Sequence, residues 1–343
     1  MLSIKLHTVV SLILAALFAP VHSPAVNGAL AADLRIEGNN RVVDQAGRVL
    51  VVNRPYERII SLYGAHTENL FSLGLEEKII GVSRHESYPP QALTKPVYSY
   101  REDPEKFLAA RPDLVVIRPM IDSGYPQFVS MLEKNGIAII SLQPTNLADM
   151  YTYWQVLGLL GGNPQQARKM VSRFKQAVAE FKALTLAKTN RKRVYFEAIH
   201  SKMKTFAPDS MAIFALETAG GVNVAADAKR VRNTNIAYYG KERILSHARS
   251  IDVYLAQFGA MNRPDRKLIV SEPGFQTIKA VSEGEIYFID EQIVSRPTMR
   301  LLDGIYQIGR ILYPQDYQET SLEILNYAKN LQPGTQGRSS SKE

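Results

Sequence analysis

Apolar and polar positions follow two regular patterns between residues 58 and 142. Short runs that are apolar on both faces predict buried strands, and stretches with an apolar residue at every third or fourth position predict helices. The predicted strands are 58–63, 78–83, 114–117 and 137–142, and the helices between them begin at Thr67, Pro104 and Tyr125. This alternation predicts a parallel sheet with helices on both of its faces.

A long helical pattern interrupts the alternation between residues 146 and 188. A first helix is predicted over 146–160, and the pair Gly161-Gly162 ends it. Pro164 can begin a second helix that continues to about Lys188, because apolar residues recur there every three or four positions. A helix of that length is roughly 37 Å long, so we predict a rigid strut rather than a flexible linker.

The alternation resumes after the strut. Strands are predicted at 193–198, 252–257 and 286–289, and helical segments at 210–218, 242–248, 277–281 and 298–313. The segment EKFLAAR before Asp113 and its strand is similar to ERILSHA before Asp252 and its strand, with a two-residue slip. Two amphipathic helices can share such a pattern by chance, but its equivalent position in each half predicts two related lobes. Two lobes joined by one strut leave a cleft that can enclose a ligand.

The N-terminal residues are typical of a secretory signal peptide. Lys5 precedes the apolar run 9–19, and the small residues Ala29-Leu30-Ala31 predict cleavage after Ala31 or Ala32. The apolar run is shorter than the roughly 20 residues that a membrane-spanning helix needs. We therefore expect an exported chain that does not span the membrane.

Composition narrows the compartment and the class of protein. The chain has 343 residues and no cysteine, which excludes disulfides, thiolate metal sites, iron–sulfur clusters and a cysteine-linked lipid anchor. An exported and unlipidated protein of this kind fits a bacterial periplasm. The net charge of +8 comes from dispersed basic residues, whereas a nucleic-acid-binding protein would concentrate them in a patch. We expect no nucleic-acid partner.

The sequence also lacks the motifs of common catalytic and metal sites. It contains no GxSxG, no P-loop, no GxGxxG after a strand and no HExxH motif. No two histidines have the HxxxH spacing of metal ligands on a helix. We predict a protein that is not an enzyme and that has neither a dedicated metal site nor a resident cofactor.

Aromatic and basic residues follow the predicted strands and occupy loops of both lobes. Ligands of open α/β sheets bind beyond the carboxyl ends of the strands, so these residues are candidates for a ligand site. The candidates are Tyr63, His66, Tyr88, Tyr100, Arg118, Tyr125, His200, Arg232, Tyr239 and Arg296. Rings and guanidinium groups together suit a bulky, partly apolar and anionic ligand. Each tyrosine can equally be an ordinary surface residue, and His66 can instead cap a helix.

Several segments resemble one protein family in their order and spacing. ERIISLYGAHTENLFSLGLEEKIIGVSRHESYPPQAL and PEKFLAARPDLVVIRP are similar to the first lobe of periplasmic binding proteins for iron–siderophores and cobalamin. LETAGGVNV, KERILSHARSIDVYLAQ and IKAVSEGEIYFID are similar to the second lobe. The resemblance covers about residues 55–315.

This resemblance implies two Rossmann-like α/β lobes with parallel sheets, joined by a single long backbone helix, with the ligand cleft between the lobes. The expected segments are a signal peptide (1–31), an N-terminal lobe with a polar lead-in and a hairpin (33–146), a connecting long helix (147–188), a C-terminal lobe (189–315), and a C-terminal extension (316–343) whose last residues, 333–343, are disordered.

The resemblance also implies a function and partners. The protein would capture a metal chelate, an iron–siderophore first and cobalamin next, and deliver it as a monomer to the permease dimer of an ABC importer. A haem-binding protein of the same importer class, a periplasmic enzyme that processes metal chelates and a structural protein of the envelope are the alternatives. In this family a surface glutamate on each lobe docks on the permease, and by position these are Glu105 and Glu242. Either one alone can be merely a favourable charge in the first turn of a helix.

Overall fold

The chain begins with a small antiparallel sheet. A computed structural model describes residues 33–232 and 234–330, so the predicted signal peptide and the predicted disordered tail lie outside the described residues. The strands are β1 (Arg35–Glu37), β2 (Arg41–Val43) and β3 (Val49–Val51). The β2–β3 pairing confirms the predicted hairpin. The buried Asp44 carboxylate closes its turn by accepting hydrogen bonds from the backbone N–H groups of Ala46 at 2.9 Å and Arg48 at 2.8 Å.

The described residues of the first lobe form a parallel sheet of five strands. In spatial order it consists of β6 (Val97–Tyr98), β5 (Ile79–Ser83), β4 (Ile59–Ser61), β7 (Leu114–Ile117) and β8 (Ala138–Ser141). Successive residues of β7 point to opposite faces, so Leu114 joins one apolar cluster and Val115 another. The lobe's helices are α1 (Gly64–Ser72), α2 (Glu105–Ala110), α3 (Pro119–Gly124) and α4 (Pro126–Lys134), with 3-10 turns at Glu76–Lys78 and Pro90–Thr94. The predicted parallel sheet is confirmed.

The predicted connecting segment, 147–188, contains two helices. They are α5 (Leu147–Gly161) and the longer α6 (Pro164–Leu184), which ends before Lys188. A Cβ atom at Gly158 of α5 would lie 2.5 Å from the Cβ of Ala167 in α6, so this glycine allows the two helices to pack closely. None of the helices in the described residues is both long enough and apolar enough to span a membrane.

The second lobe has a mixed sheet of seven strands within the described residues. In spatial order it consists of β12 (Lys229–Arg230), β13 (Ile236–Tyr238), β10 (Lys204–Phe206), β9 (Arg193–Ile199), β14 (Val253–Phe258) and β15 (Ile286–Asp290), and β11 (Val222–Asn223) also pairs with β9. β9, β14 and β15 are parallel, as the alternation predicts. The antiparallel strands β10, β13 and β12 are an addition that the hydrophobic pattern does not predict.

Helices cover both faces of this sheet. They are α7 (Met211–Thr218), α8 (Lys241–Ser246), α9 (Arg266–Ser271), α10 (Lys279–Ser282), α11 (Glu291–Val294) and α12 (Leu301–Leu312), with 3-10 turns at His200–Lys202, Ala248–Ser250 and Phe275–Thr277. The last described helix is α13 (Glu319–Lys329), which packs against α6 and α12.

The two lobes start their central strands in the same way. Asp113 accepts hydrogen bonds from the backbone N–H groups of Glu57 and Arg58, both at 2.8 Å, and donates its own N–H to the Arg58 carbonyl at 3.0 Å. Asp252 accepts the N–H of Arg193 at 2.9 Å and donates to the Arg193 carbonyl at 2.8 Å. The predicted correspondence between Asp113 and Asp252 is confirmed. It places α2 and α8 at equivalent positions in the two lobes.

Candidate functional site

Tyr63 lies where the two lobes meet, and two arginines flank it. Tyr63 follows β4 and Arg118 follows the neighbouring β7, so both lie at the same edge of the first sheet. The guanidinium carbon of Arg118 is 4.4 Å from the centre of the Tyr63 ring. Arg296 follows α11 in the second lobe, and its guanidinium carbon is 6.0 Å from the same ring centre. Three predicted ligand residues from distant parts of the chain therefore meet here.

Gly64 makes room for Arg296. A Cβ atom at position 64 would lie 2.6 Å from Arg296 Nη1, so any larger residue would displace the guanidinium group. Arg296 Nη1 is itself buried and has no hydrogen-bond partner within residues 33–232 and 234–330. A buried N–H group without a partner is costly, so this position favours the binding of a hydrogen-bond acceptor.

The Tyr63 hydroxyl is a neutral donor beside these two cations. Burial raises the pKa of Tyr63, the positive charges of Arg118 and Arg296 partly oppose this, and Glu291 and Glu68 add to the increase. In the described part of the chain, no group of three His, Asp or Glu side chains is placed to hold a metal ion. Two guanidinium groups beside a phenol O–H suit oxygen acceptors, and above all anionic ones.

Next to this cluster, the segment 295–300 of the second lobe is bound to helices α1 and α5. The Pro297 carbonyl accepts hydrogen bonds from Asn69 Nδ2 and from Trp154 Nε1, both at 3.0 Å. Arg300 donates two hydrogen bonds to the buried Glu68 carboxylate, at 3.0 and 2.8 Å. We call these five residues the inter-lobe clasp.

The other predicted tyrosines of the first lobe lie at its surface. Tyr88 is 39% exposed, and the guanidinium carbon of Arg300 is 4.3 Å from its ring centre. Tyr100 and Tyr125 are half-buried and contact each other edge to face, with ring centres 4.6 Å apart. Arg101 Nε donates to the Tyr125 hydroxyl at 3.2 Å. Tyr88 thus adjoins the inter-lobe clasp, whereas Tyr100 and Tyr125 form a separate pair.

Two predicted ligand residues lie in the core instead. His66 lies in the first turn of α1 and has no exposed surface. Its Nδ1 is 2.7 Å from the Tyr153 hydroxyl, and its Nε2 is 3.1 Å from the Ile117 carbonyl oxygen at the end of β7. Burial lowers the pKa of His66 to about 3. Tyr239 is buried too, and its hydroxyl donates to the Val224 carbonyl at 3.2 Å. Both side chains are therefore engaged in hydrogen bonds within the packed interior of their lobes.

His200 and Arg232 are the remaining candidates of the second lobe. His200 is buried, with Nδ1 2.7 Å from Glu197 Oε2, and Glu197 also accepts hydrogen bonds from Tyr254 and Asn262. The hydrogen bond to Glu197 raises the pKa of His200, and burial opposes it. This network holds His200 in the interior of the second lobe, while its Nε2 has no hydrogen-bond partner among the described residues. Arg232 is exposed, on the loop before β13, with a φ of 50°.

Residues outside the prediction form an exposed apolar surface at the end of β14 in the second lobe. Phe258 is the last residue of β14 and Met261 lies in the loop after it, and their side chains are 45% and 44% exposed. Phe258, Gly259, Arg263, Pro264 and Phe288 line a pocket of about 490 Å³ that includes none of the predicted site residues. Glu291 accepts the Met261 N–H at 3.4 Å, and its charge contributes to the raised pKa of Tyr63. The position of Phe258 directly after a predicted strand is the signal that could have identified it.

Glu105 and Glu242, the two predicted docking residues, are both exposed. They lie in the first turns of α2 and α8, and neither forms an ion pair with another described residue. Several charged residues beside them are paired: Glu102 with two cations, Lys241 with Glu272 and Arg243 with Asp227. Each lobe therefore presents one free carboxylate on an equivalent helix.

Comparison with known proteins agrees with this architecture. A family model described as periplasmic binding protein matches residues 59–293. YvrC of Bacillus subtilis, an uncharacterized ABC transporter substrate-binding lipoprotein, is 24% identical over 281 residues, which are 80% of this chain and 86% of that protein. A vitamin B12-binding protein of Vibrio cholerae is 25% identical over 256 residues, which are 74% of this chain and 88% of that protein.

A solved structure has the same fold. The crystal structure of a possible iron-binding (periplasmic solute-binding) protein from Staphylococcus epidermidis matches with a TM-score of 0.67 at 24% identity, and the match covers 76% of this chain and 100% of that chain. At this identity the likeness shows the fold alone.

Proposed function

This chain belongs to the periplasmic binding protein family, and from that premise we propose that it is the substrate-binding protein of an ABC importer. In this proposal a signal peptide exports it to the periplasm, where it binds a metal chelate as a monomer and delivers it to a permease dimer without chemical turnover. The YvrC relative is named a lipoprotein, whereas this chain has no cysteine to carry a lipid.

The cluster of Tyr63, Arg118 and Arg296 is the observation that carries the proposal. It places two cations and a neutral phenol where the lobes meet, with one guanidinium N–H unpartnered. Charged donors in a partly buried site bind oxygen anions strongly. The exposed Phe258 and Met261 supply apolar contacts for the faces of a large ligand.

These features favour a ferric siderophore as the ligand, and cobalamin next. A ferric siderophore combines an oxygen-rich surface, apolar parts and often a negative charge, which match the arginines and the aromatic wall. Cobalamin has a large amide-rich surface, and one relative is named as a protein that binds it. Haem is the alternative within the same importer class, because its two carboxylates suit Arg118 and Arg296 and its iron suits the Tyr63 hydroxyl.

Ligand titration of the mature protein tests the proposal. Ferric siderophores, cyanocobalamin and haemin are titrated separately while Trp154 fluorescence is followed. We expect one class to bind, and Arg118→Met and Arg296→Met each to lower its affinity about tenfold or more, since a hydrogen bond to a charged group contributes about 1.5–3 kcal/mol. The exposed Arg249→Met variant is the matched control and should bind normally. Failure of all three classes to bind, or unchanged affinity in both arginine variants, would contradict the proposal.

A further inference from the structure

The turn of the N-terminal hairpin reaches the carboxyl end of the first lobe's sheet. Asp44 accepts the backbone N–H of Ser141 at 2.8 Å, and the Gln45 N–H donates to the Ser141 carbonyl at 3.3 Å. The side-chain amide of Gln45 then contacts the backbone of Gln143 at two points. Its Nε2 donates to the Gln143 carbonyl at 2.9 Å, and its Oε1 accepts the Gln143 N–H. The turn therefore continues the hydrogen bonding of β8 past its last residue.

Gln143 in turn holds Arg118 against Tyr63. Its side-chain Oε1 accepts a hydrogen bond from Arg118 Nε at 3.1 Å, while the guanidinium carbon of Arg118 lies 4.4 Å from the Tyr63 ring centre. A free arginine side chain samples many rotamers, and an acceptor at Nε selects one of them. A continuous set of contacts thus runs from Gln45 through Gln143 and Arg118 to Tyr63.

The same turn also anchors the element on the other side of Arg118. Arg48 donates two hydrogen bonds to Asp122, both at 2.6 Å, and one to Glu133 at 2.7 Å. Asp122 lies in α3, which begins at the residue directly after Arg118. The turn 44–48 therefore braces both α3 and the strand end that flank this arginine. It precedes the stretch 59–293 that matches the family model.

We infer that the hairpin turn 44–48 positions Arg118 for the ligand, with Gln45 and Gln143 as positioning residues. The part that concerns the ligand rests on the proposed function. The part that concerns Arg118 and Tyr63 does not, because the charge of Arg118 lowers the pKa of Tyr63 and this effect exists without ligand.

The first test therefore uses the ligand-free protein. Tyrosine labelled with ¹³C at Cζ is titrated by NMR, and Tyr63→Phe assigns the Tyr63 signal. Arg118→Met defines the full upward shift of the Tyr63 pKa. We expect Gln143→Met and Gln45→Ala to reproduce most of that shift, because either change frees the guanidinium group. The control is Asn40→Ala, which removes a contact to Asn53 within the same N-terminal sheet and should leave the Tyr63 pKa unchanged.

A purely structural role of Gln45 would lower the melting temperature but leave the titration of Tyr63 as in the wild type, and that result would overturn the inference. An unchanged Tyr63 pKa in Arg118→Met would overturn the Arg118–Tyr63 contact on which the inference depends.

The second test is affinity for whichever of the three ligand classes binds. We expect Gln143→Met to lower it about tenfold, as for the loss of one hydrogen bond to a charged group. If the Gln45 and Gln143 variants shift the Tyr63 pKa but the protein binds none of the three ligand classes, the proposed function is contradicted and the positioning of Arg118 is supported. If Gln143→Met shifts the Tyr63 pKa but leaves the affinity for the bound ligand unchanged, the role of Gln143 in ligand binding is overturned.

Discussion

Tyr63 and His66 are only three positions apart, but Tyr63 belongs to the candidate ligand site and His66 to the core. Tyr63 ends at the junction of the lobes beside two arginines, whereas His66 lies inside α1 with both ring nitrogens engaged and no exposed surface. Tyr63 is the extended residue that precedes α1, with φ −156° and ψ 132°, whereas His66 belongs to the first turn of the helix. His66 therefore contributes to the stability of the fold, and the free energy of unfolding should depend on its protonation.

We predict that His66 makes the fold weaken as pH falls from about 6.5 toward 3. Its folded pKa is about 3, below the ordinary value of about 6.5 in an unfolded chain, so within this window the unfolded chain binds a proton that the folded chain does not. The free energy of unfolding should therefore fall by up to about 1.4 kcal/mol for each pH unit. Urea unfolding of the wild type and His66→Gln at pH 7, 6, 5 and 4 measures this.

The difference in stability between the wild type and His66→Gln should shrink as pH decreases. The exposed His85→Gln variant is the control, and its profile should run parallel to the wild type. A His66→Gln profile that also runs parallel to the wild type would contradict the prediction.

At the scale of elements, the short helices α2 and α8 share one position in two differently built lobes. Each precedes a strand that begins directly after an aspartate, Asp113 or Asp252, and the carboxylate of that aspartate binds the backbone at the start of the neighbouring central strand. Each carries an exposed glutamate in its first turn, although one sheet is parallel and the other is mixed. Two equivalent carboxylates suit the two equivalent basic sites of a dimeric partner. We propose on this ground that Glu105 and Glu242 dock the protein on the permease.

We predict that Glu105→Ala and Glu242→Ala together weaken the complex with the permease by orders of magnitude. Each exposed carboxylate should cost the fold no more than about 1 kcal/mol, whereas leaving a partner's arginine unpaired in an interface costs about 2–5 kcal/mol. Binding to the permease in nanodiscs, ligand affinity and melting temperature are measured for the double variant. Glu323→Ala, an exposed carboxylate on α13, is the control. Docking of the double variant with wild-type affinity would exclude the role.

At the scale of the whole molecule, α5 and α6 are not the sole connection between the lobes. The inter-lobe clasp joins the segment 295–300 to α1 and α5 through Pro297 and through the buried pair of Glu68 and Arg300. Trp154, the single tryptophan, donates its indole N–H within this clasp. Its fluorescence therefore reports directly on the contact between the lobes.

We predict that Glu68→Gln destabilises the protein by about 3–5 kcal/mol, because it leaves Arg300 buried without its carboxylate. The side chains of Glu68 and Arg300 are 2% and 14% exposed, so solvent does little to replace the lost partner. Arg35→Met breaks an exposed pair with Glu37, whose side chains are 50% and 37% exposed, and should cost no more than about 1 kcal/mol. Urea unfolding followed by Trp154 fluorescence compares the two. Equal urea midpoints for Glu68→Gln and the wild type would show that the clasp contributes nothing.

The sequence by itself determined the features that depend on local burial. The run at 114–117 is apolar on both faces and is a central strand, and the three- and four-residue spacing after Pro164 produces α6. The correspondence of Asp113 with Asp252 could also be predicted from the sequence, because each aspartate directly precedes an apolar strand. The periodicity of apolar residues indicates which residues face a core, and a short stretch of sequence is enough to show it.

The tertiary structure alone decided which candidates meet and which are buried. Tyr63 and Arg296 are far apart in the chain and come together only because 295–300 is bound to α1 and α5. Tyr239 follows an antiparallel strand that the pattern does not predict, and this addition places it inside the second lobe. The physical reason is that hydrophobic patterning specifies a face but not the partner that covers it, so contacts between distant segments depend on how the completed sheets and helices pack.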